Sequence, residues 1–121
     1  MAFYDLTKEQ RVRRVEDIHF EIIGALKEDK LKPVQRYFAD EDTYIRKAAY
    51  LAFGRIYFSE KIAQARLIRV LNELMTSVDF KVRQTVINTA GEIGKKEFEP
   101  VQHFFEAGLF DPHHSPRNAV I

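Results

Sequence analysis

Apolar residues recur along this chain at intervals of three and four, the spacing that gathers side chains on one face of an α-helix. Ile45, Ala49, Ala52, Phe53 and Ile56 make one such stripe, and Val82, Val86, Ala90 and Ile93 make another. No window alternates apolar and polar residues with period two between turn residues. The pattern therefore predicts helices and no strands.

Residues between the stripes predict where the helices start and stop. Thr7-Lys8-Glu9-Gln10 reads as a capping box, so a first helix is expected from about Lys8 to Lys27. A short helix follows from about Lys30 to Ala39, with Pro33 in its first turn, where a missing N–H has no intrahelical partner to lose. Further helices are expected over about Thr43–Phe58, Glu60–Thr76, Phe80–Lys95 and Glu97–Ala107, with Gly108 as a C-terminal cap. A last helix is expected to begin between Pro112 and Pro116.

Two of these segments superimpose. DTYIRKAAYLAFGRI begins at Asp42 and DFKVRQTVINTAGEI at Asp79. Each runs Asp, then a β-branched residue and Arg (Ile45-Arg46, Val82-Arg83), then small and apolar residues, then Gly and Ile. Asp79 follows Asp42 by 37 positions, as Arg83 follows Arg46 and Gly91 follows Gly54. A third start, DPHHSPRNAVI, keeps Asp111 and Arg117 with two extra residues between them, which predicts a bulged turn. The stretches ahead of each Asp, from Val34, Leu71 and Val101, read as the ends of apolar helices. The unit is thus helix, tight turn, second helix, with the Asp carboxylate accepting the first free N–H groups of the second helix. Such a period, with two helices per unit, lies in the range of helical repeats. Gly54 and Gly91 fall mid-helix, where Gly is about 1 kcal/mol worse than Ala. Close approach of a neighbouring helix is the expected compensation.

The pattern Asp-x-x-[Ile/Val]-Arg-x-x-x-x-x-x-x-Gly after an apolar helix resembles the second half of a HEAT repeat, over roughly residues 30 to 121. The resemblance implies an all-α fold: antiparallel helix pairs stacked as a right-handed α-α superhelix, an armadillo-type α-solenoid. Within that single domain, residues 1–29 would be an N-terminal helix, 30–58 a first repeat, 59–95 a second and 96–121 part of a third. It also implies a ladder of hydrogen bonds between adjacent repeats, built from Asp42, Arg46, Asp79, Arg83 and Arg117. In HEAT-like arrays the second helix of each pair lines the concave groove. By resemblance, Tyr44, Lys47, Leu51, Arg55 and Phe58 on one helix and Lys81, Gln84, Asn88, Glu92 and Lys95 on the next would face it and contact a partner. An ordinary solvated helix surface has the same make-up. Tyr44, Leu51 and Phe58 favour binding, because large apolar groups beside Arg and Lys, on a stripe burial does not require, suit an interface. An extra helix lying over them is the alternative.

Composition narrows the chemistry. Hydrophobic content of 45% and charged content of 31% fit a folded, helix-rich chain. Net charge is +1, so no strong global field draws nucleic acid or anionic membrane. The absence of cysteine excludes disulfides, thiolate zinc sites and cysteine nucleophiles. His113-His114 beside Asp111 is the one metal candidate, and its spacing matches no zinc signature. Ser59, Ser77 and Ser115 sit in no nucleophile elbow, and no Gly-rich phosphate loop is present. A non-enzymatic protein without cofactor or metal is expected, binding a protein or peptide.

Basic clusters at Lys8, Arg11, Arg13 and Arg14, at Arg66 and Arg69, and at Lys95-Lys96 are interleaved with Glu9, Glu16, Asp17, Glu73, Glu92 and Glu97. Salt-bridged helix faces explain them; phosphate contact is the competing reading. The corresponding alternative is a nucleic-acid-binding HEAT-like module related to DNA alkylation repair proteins. Alkylpurine DNA glycosylases of this fold use a tryptophan-rich cleft, and this chain has no tryptophan.

No stretch approaches the ~18 apolar residues of a membrane span, and the N-terminus lacks a signal-peptide apolar run. A cytoplasmic location is expected. Ala119-Val120-Ile121 reads as the interior of a helix, so a longer array, or self-association through that end, is expected.

Overall fold

The computed structural model describes residues 2–121. Seven α-helices follow one another: α1 (Lys8–Lys27), α2 (Lys32–Phe38), α3 (Thr43–Ser59), α4 (Gln64–Leu74), α5 (Phe80–Gly94), α6 (Gln102–Leu109) and α7 (His114–Val120). Single 3-10 turns lie at Phe3–Asp5 and Glu99–Val101, and there is no strand among the described residues.

The first helix starts where its capping box is. Thr7 Oγ1 accepts from the Gln10 N–H at 3.1 Å, and the Gln10 side chain accepts from the Thr7 N–H at 2.9 Å. Its apolar face, Ile18, Ile22, Ala25 and Leu26, is buried. The helix ends before Asp29, which takes a left-handed φ of 59°. The fourth helix begins at Gln64 rather than near Glu60. Glu60 caps α3 with a φ of 58°, a conformation that cannot open a right-handed helix.

Helices α1, α3, α5 and α7 pack each against the next to similar extents, and α2, α4 and α6 contact them. Position in this series sets how much of each helix is buried. α3 lies between α1 and α5, and its buried residues span about two thirds of its circumference: Ile45, Ala48, Ala49, Ala52, Phe53, Gly54, Ile56 and Tyr57. α5 lies between α3 and α7 and buries Val82, Thr85, Val86, Ile87, Thr89, Ala90 and Ile93. α4 buries only the stripe Leu67, Leu71 and Leu74.

Polar ties join helices distant in sequence. Thr85 Oγ1 lies 2.9 Å from the Phe38 carbonyl and 2.7 Å from its own helix's Lys81 carbonyl. A buried hydroxyl thereby satisfies a carbonyl at the end of α2. Arg66 on α4 donates to the Leu26 carbonyl at the end of α1, and Tyr57 Oη donates to Glu97 at 3.1 Å.

The turns preceding α3, α5 and α7 repeat one geometry, and it corrects the register of the third. Asp40, Ser77 and Asp111 accept, through their side chains, the N–H two residues on, at 2.8, 3.1 and 2.9 Å. The residues donating those N–H groups are the helix N-caps Asp42, Asp79 and His113. Arg46, Arg83 and Arg117 then each donate to the carbonyl six residues back, that of Asp40, Ser77 and Asp111. Asp111 therefore corresponds to Asp40 and Ser77, not to Asp42 and Asp79. No bulge is needed. The cap is His113, whose Nδ1 accepts from the Ser115 N–H at 3.0 Å.

Two glycine expectations also change. A Cβ at Gly54 would lie 3.2 Å from Glu92 Cβ, so α3 and α5 do approach closely there, but Gly91 has nothing within 4 Å. Gly108 is no cap. It lies inside α6, and a Cβ there would be 2.7 Å from both Ile87 Cδ1 and Val120 Cγ2.

Candidate interaction surface

The ten residues expected to face the groove divide among three environments. Tyr44 is held by the N-terminal turn. Its ring lies edge-on to Tyr4 at 4.2 Å and stacks near Phe3 at 6.4 Å. The Phe3 N–H donates to Asp42 Oδ2 at 2.7 Å and fixes that turn on the start of α3. The same bond is the main reason the Asp42 carboxyl sits below the usual carboxylate range. A short turn rather than an extra helix thus lies against Tyr44, which stays 47% exposed. A small depression of about 170 Å³ remains beside it, lined in part by Lys47, Leu51 and Val15.

Five of the ten come together farther along. Leu51, Arg55 and Phe58 of α3, with Glu92 of α5 and the adjoining Lys95, line a groove of about 490 Å³. Gly54, Ser59 and Lys96 complete it. Leu51 and Phe58 stand one turn to either side of Gly54-Arg55, and Glu92 of α5 packs closely against Gly54. Phe58 also packs against the core, so burial does use it, contrary to the sequence reading. Lys96 Nζ lies 5.0 Å from the centre of the Phe58 ring, within cation–π range. Lys95 pairs with Glu92 across one turn, and this bond raises the Lys95 pKa.

The remaining three lie outside the groove. Lys81 is drawn to the inter-helix turns, its Nζ 3.5 Å from both Glu41 and Asp79. Gln84 and Asn88 are half-buried on α5.

The expected ladder does not form among Asp42, Arg46, Asp79, Arg83 and Arg117; Arg83 instead pairs with Asp111. Arg83 Nε and Nη2 donate to Asp111 Oδ2 and Oδ1 at 2.8 and 3.0 Å, a bidentate pair largely out of solvent. Arg83 holds the Asp111 carboxyl below its ordinary range. Arg46 does not reach Asp79; it donates instead to the Asp40 carbonyl and Thr43 Oγ1. Arg117 bonds the Asp111 carbonyl at 2.7 Å, within its own turn.

The histidines are engaged structurally. His113 stacks flat on Phe80 at 3.8 Å and uses Nδ1 as the α7 cap, while Asp111 is committed to Arg83. Burial, then the neighbouring His114, lowers the His113 pKa. His103 Nε2 is 2.7 Å from Asn72 Oδ1. Burial, then Arg55 and Lys61, lowers the His19 pKa. Among the described residues no group of three or more His, Asp or Glu is placed to hold a metal ion.

A larger depression, about 700 Å³, lies between α1 and α2 around the exposed Phe20. Its charges balance: Arg14, Lys30 and Arg36 against Glu21, Glu28 and Asp40. Lys30 pairs with Glu28 at 2.8 Å. The α3–α5 groove carries Arg55, Lys95 and Lys96 against Glu92 alone. Comparison with models of known protein families, with curated proteins and with solved structures returned no match. Sequence reasoning had singled out Lys96 only as part of a basic cluster; its place over Phe58 depends on how α3 meets the end of α5.

Proposed function

We propose that this chain is a non-enzymatic α-solenoid scaffold of the HEAT type that binds a protein or peptide through the α3–α5 groove. The serial packing of α1, α3, α5 and α7, alternating with α2, α4 and α6, supports the solenoid reading. So does the thrice-repeated turn with its arginine brace, since neighbour-only contacts and recurring local geometry characterise repeat arrays. In that reading α1 takes the place of a second helix of a pair rather than standing apart as a cap. The observation that carries the binding role is the convergence of Leu51, Arg55, Phe58, Glu92 and Lys95 on one open groove. Apolar and aromatic surface, flanked by Arg and Lys, is the composition from which interface anchors are drawn.

Replacing Leu51 and Arg55 together should abolish capture of a partner from lysate while leaving helicity and melting temperature near those of the wild type. An unchanged set of captured proteins would remove the groove from the binding surface.

A further inference from the structure

We propose that the α3–α5 groove takes an acidic peptide segment, one that seats an apolar side chain between Leu51 and Phe58 and sets carboxylates against Arg55 and Lys96. This inference rests on the interaction reading above and gives it a ligand chemistry.

The apolar seat is fixed by shape. Leu51 and Phe58 form its walls, and Gly54, closely approached by Glu92 of α5, lies between them. Gly54 cannot be filled without moving α5, because a Cβ there meets Glu92 Cβ at 3.2 Å. The seat is thus part of how the two helices fit together.

The charge preference comes from pairing. Of the groove's three cations, only Lys95 has a carboxylate partner, Glu92. Among the described residues Arg55 and Lys96 enter no ion pair, and neither do Lys47 and Lys61 near by along α3 and just beyond it. Arg55 and Lys61 together act on His19, so their positive field extends across to α1. The groove is therefore cationic on a molecule whose net charge is only +1. Opposed charges of this kind orient a partner and speed its approach. A nucleic-acid strand fits less well. Nucleic-acid affinity rests on many phosphate contacts, and the groove offers three cations, one of them already paired with Glu92.

The test uses the whole chain and four fluorescent probes: an Asp/Glu-rich peptide with one central Phe, its Asn/Gln counterpart, its Lys counterpart, and a single-stranded oligonucleotide of similar length. Anisotropy gives affinity, and backbone amide shifts give location. The acidic peptide should bind about tenfold or more tighter than the neutral one, shift amides near Leu51–Ser59 and Glu92–Lys96, and weaken with added salt. Arg55→Glu with Lys96→Glu should lose that preference. Helicity checks folding, and the milder pair Arg55→Gln with Lys96→Gln should show an intermediate loss. Equal binding of the neutral or Lys peptide at those amides would overturn the acidic preference and leave the groove as a binding site. Tighter binding of the oligonucleotide would replace the peptide with nucleic acid. If no probe moves the groove amides, both this inference and the functional reading fall.

Discussion

His113 shows how far a single residue can carry consequences. Its Nδ1 must be unprotonated to accept the Ser115 N–H, and the start of α7 disfavours a positive charge. Around it stand His114, Arg83 and Arg117, which lower its pKa, against Asp111, which raises it. The folded pKa is lowered from 6.5, mainly by burial and then by His114. The unfolded chain therefore takes up the proton at higher pH, and protonation favours unfolding. The stabilisation is present above about pH 6.5 and is lost as pH falls through the lower folded value. His113→Asn keeps a capping side chain that does not titrate. Melting temperature followed from pH 7.5 down to pH 5 should therefore fall less steeply in the variant. His19, shifted in the same direction, leaves a residual slope in both proteins. Parallel slopes for the two proteins would show that the cap does not sense pH. Asp111 has the same sign in a more acid window: its carboxyl pKa is lowered, so its contribution is full above the ordinary carboxylate value of 3.8 and is lost as pH falls below it.

At the scale of elements, the glycines separate two causes that look alike in sequence. Gly91 and Gly108 both lie within helices, yet one faces open space and the other the meeting point of α5 and α7. Gly91→Ala should stabilise by about 0.5–1 kcal/mol through reduced chain entropy. Gly108→Ala should destabilise by about 1–3 kcal/mol, because Ile87 and Val120 must move. Urea denaturation of the two variants gives the sign directly; a stabilised Gly108→Ala protein would mean that α6 is packed differently. Helix limits follow the same division. Thr7, Asp42 and Asp79 were legible as starts because their caps are local. The late start at Gln64 and the 3-10 turn before α6 were not, because apolar periodicity carries no record of a left-handed residue such as Glu60.

Across the whole molecule, helices flanked on both sides should open last. Hydrogen exchange is expected to be slowest in α3 and α5 and faster in α7, whose neighbours are chiefly α5 and α6. Uniform protection in every helix would instead indicate one indivisible cooperative unit. Local sequence determined a great deal here: the all-helical class, the buried stripes of α3 and α5, the capping box, and two of the three turns. Each depends on residues within a turn or two of one another, and such interactions are written into spacing. Only the tertiary structure decided that Asp111 serves Arg83 while His113 caps, that Tyr44 packs beside Phe3 and Tyr4, and that Leu51, Arg55 and Phe58 meet Glu92 and Lys95 across one groove. Apart from the His113 cap, those pairings join residues tens of positions apart. Their geometry is set by how closely two helices approach, as α3 and α5 do at Gly54, and no periodicity along the chain encodes that.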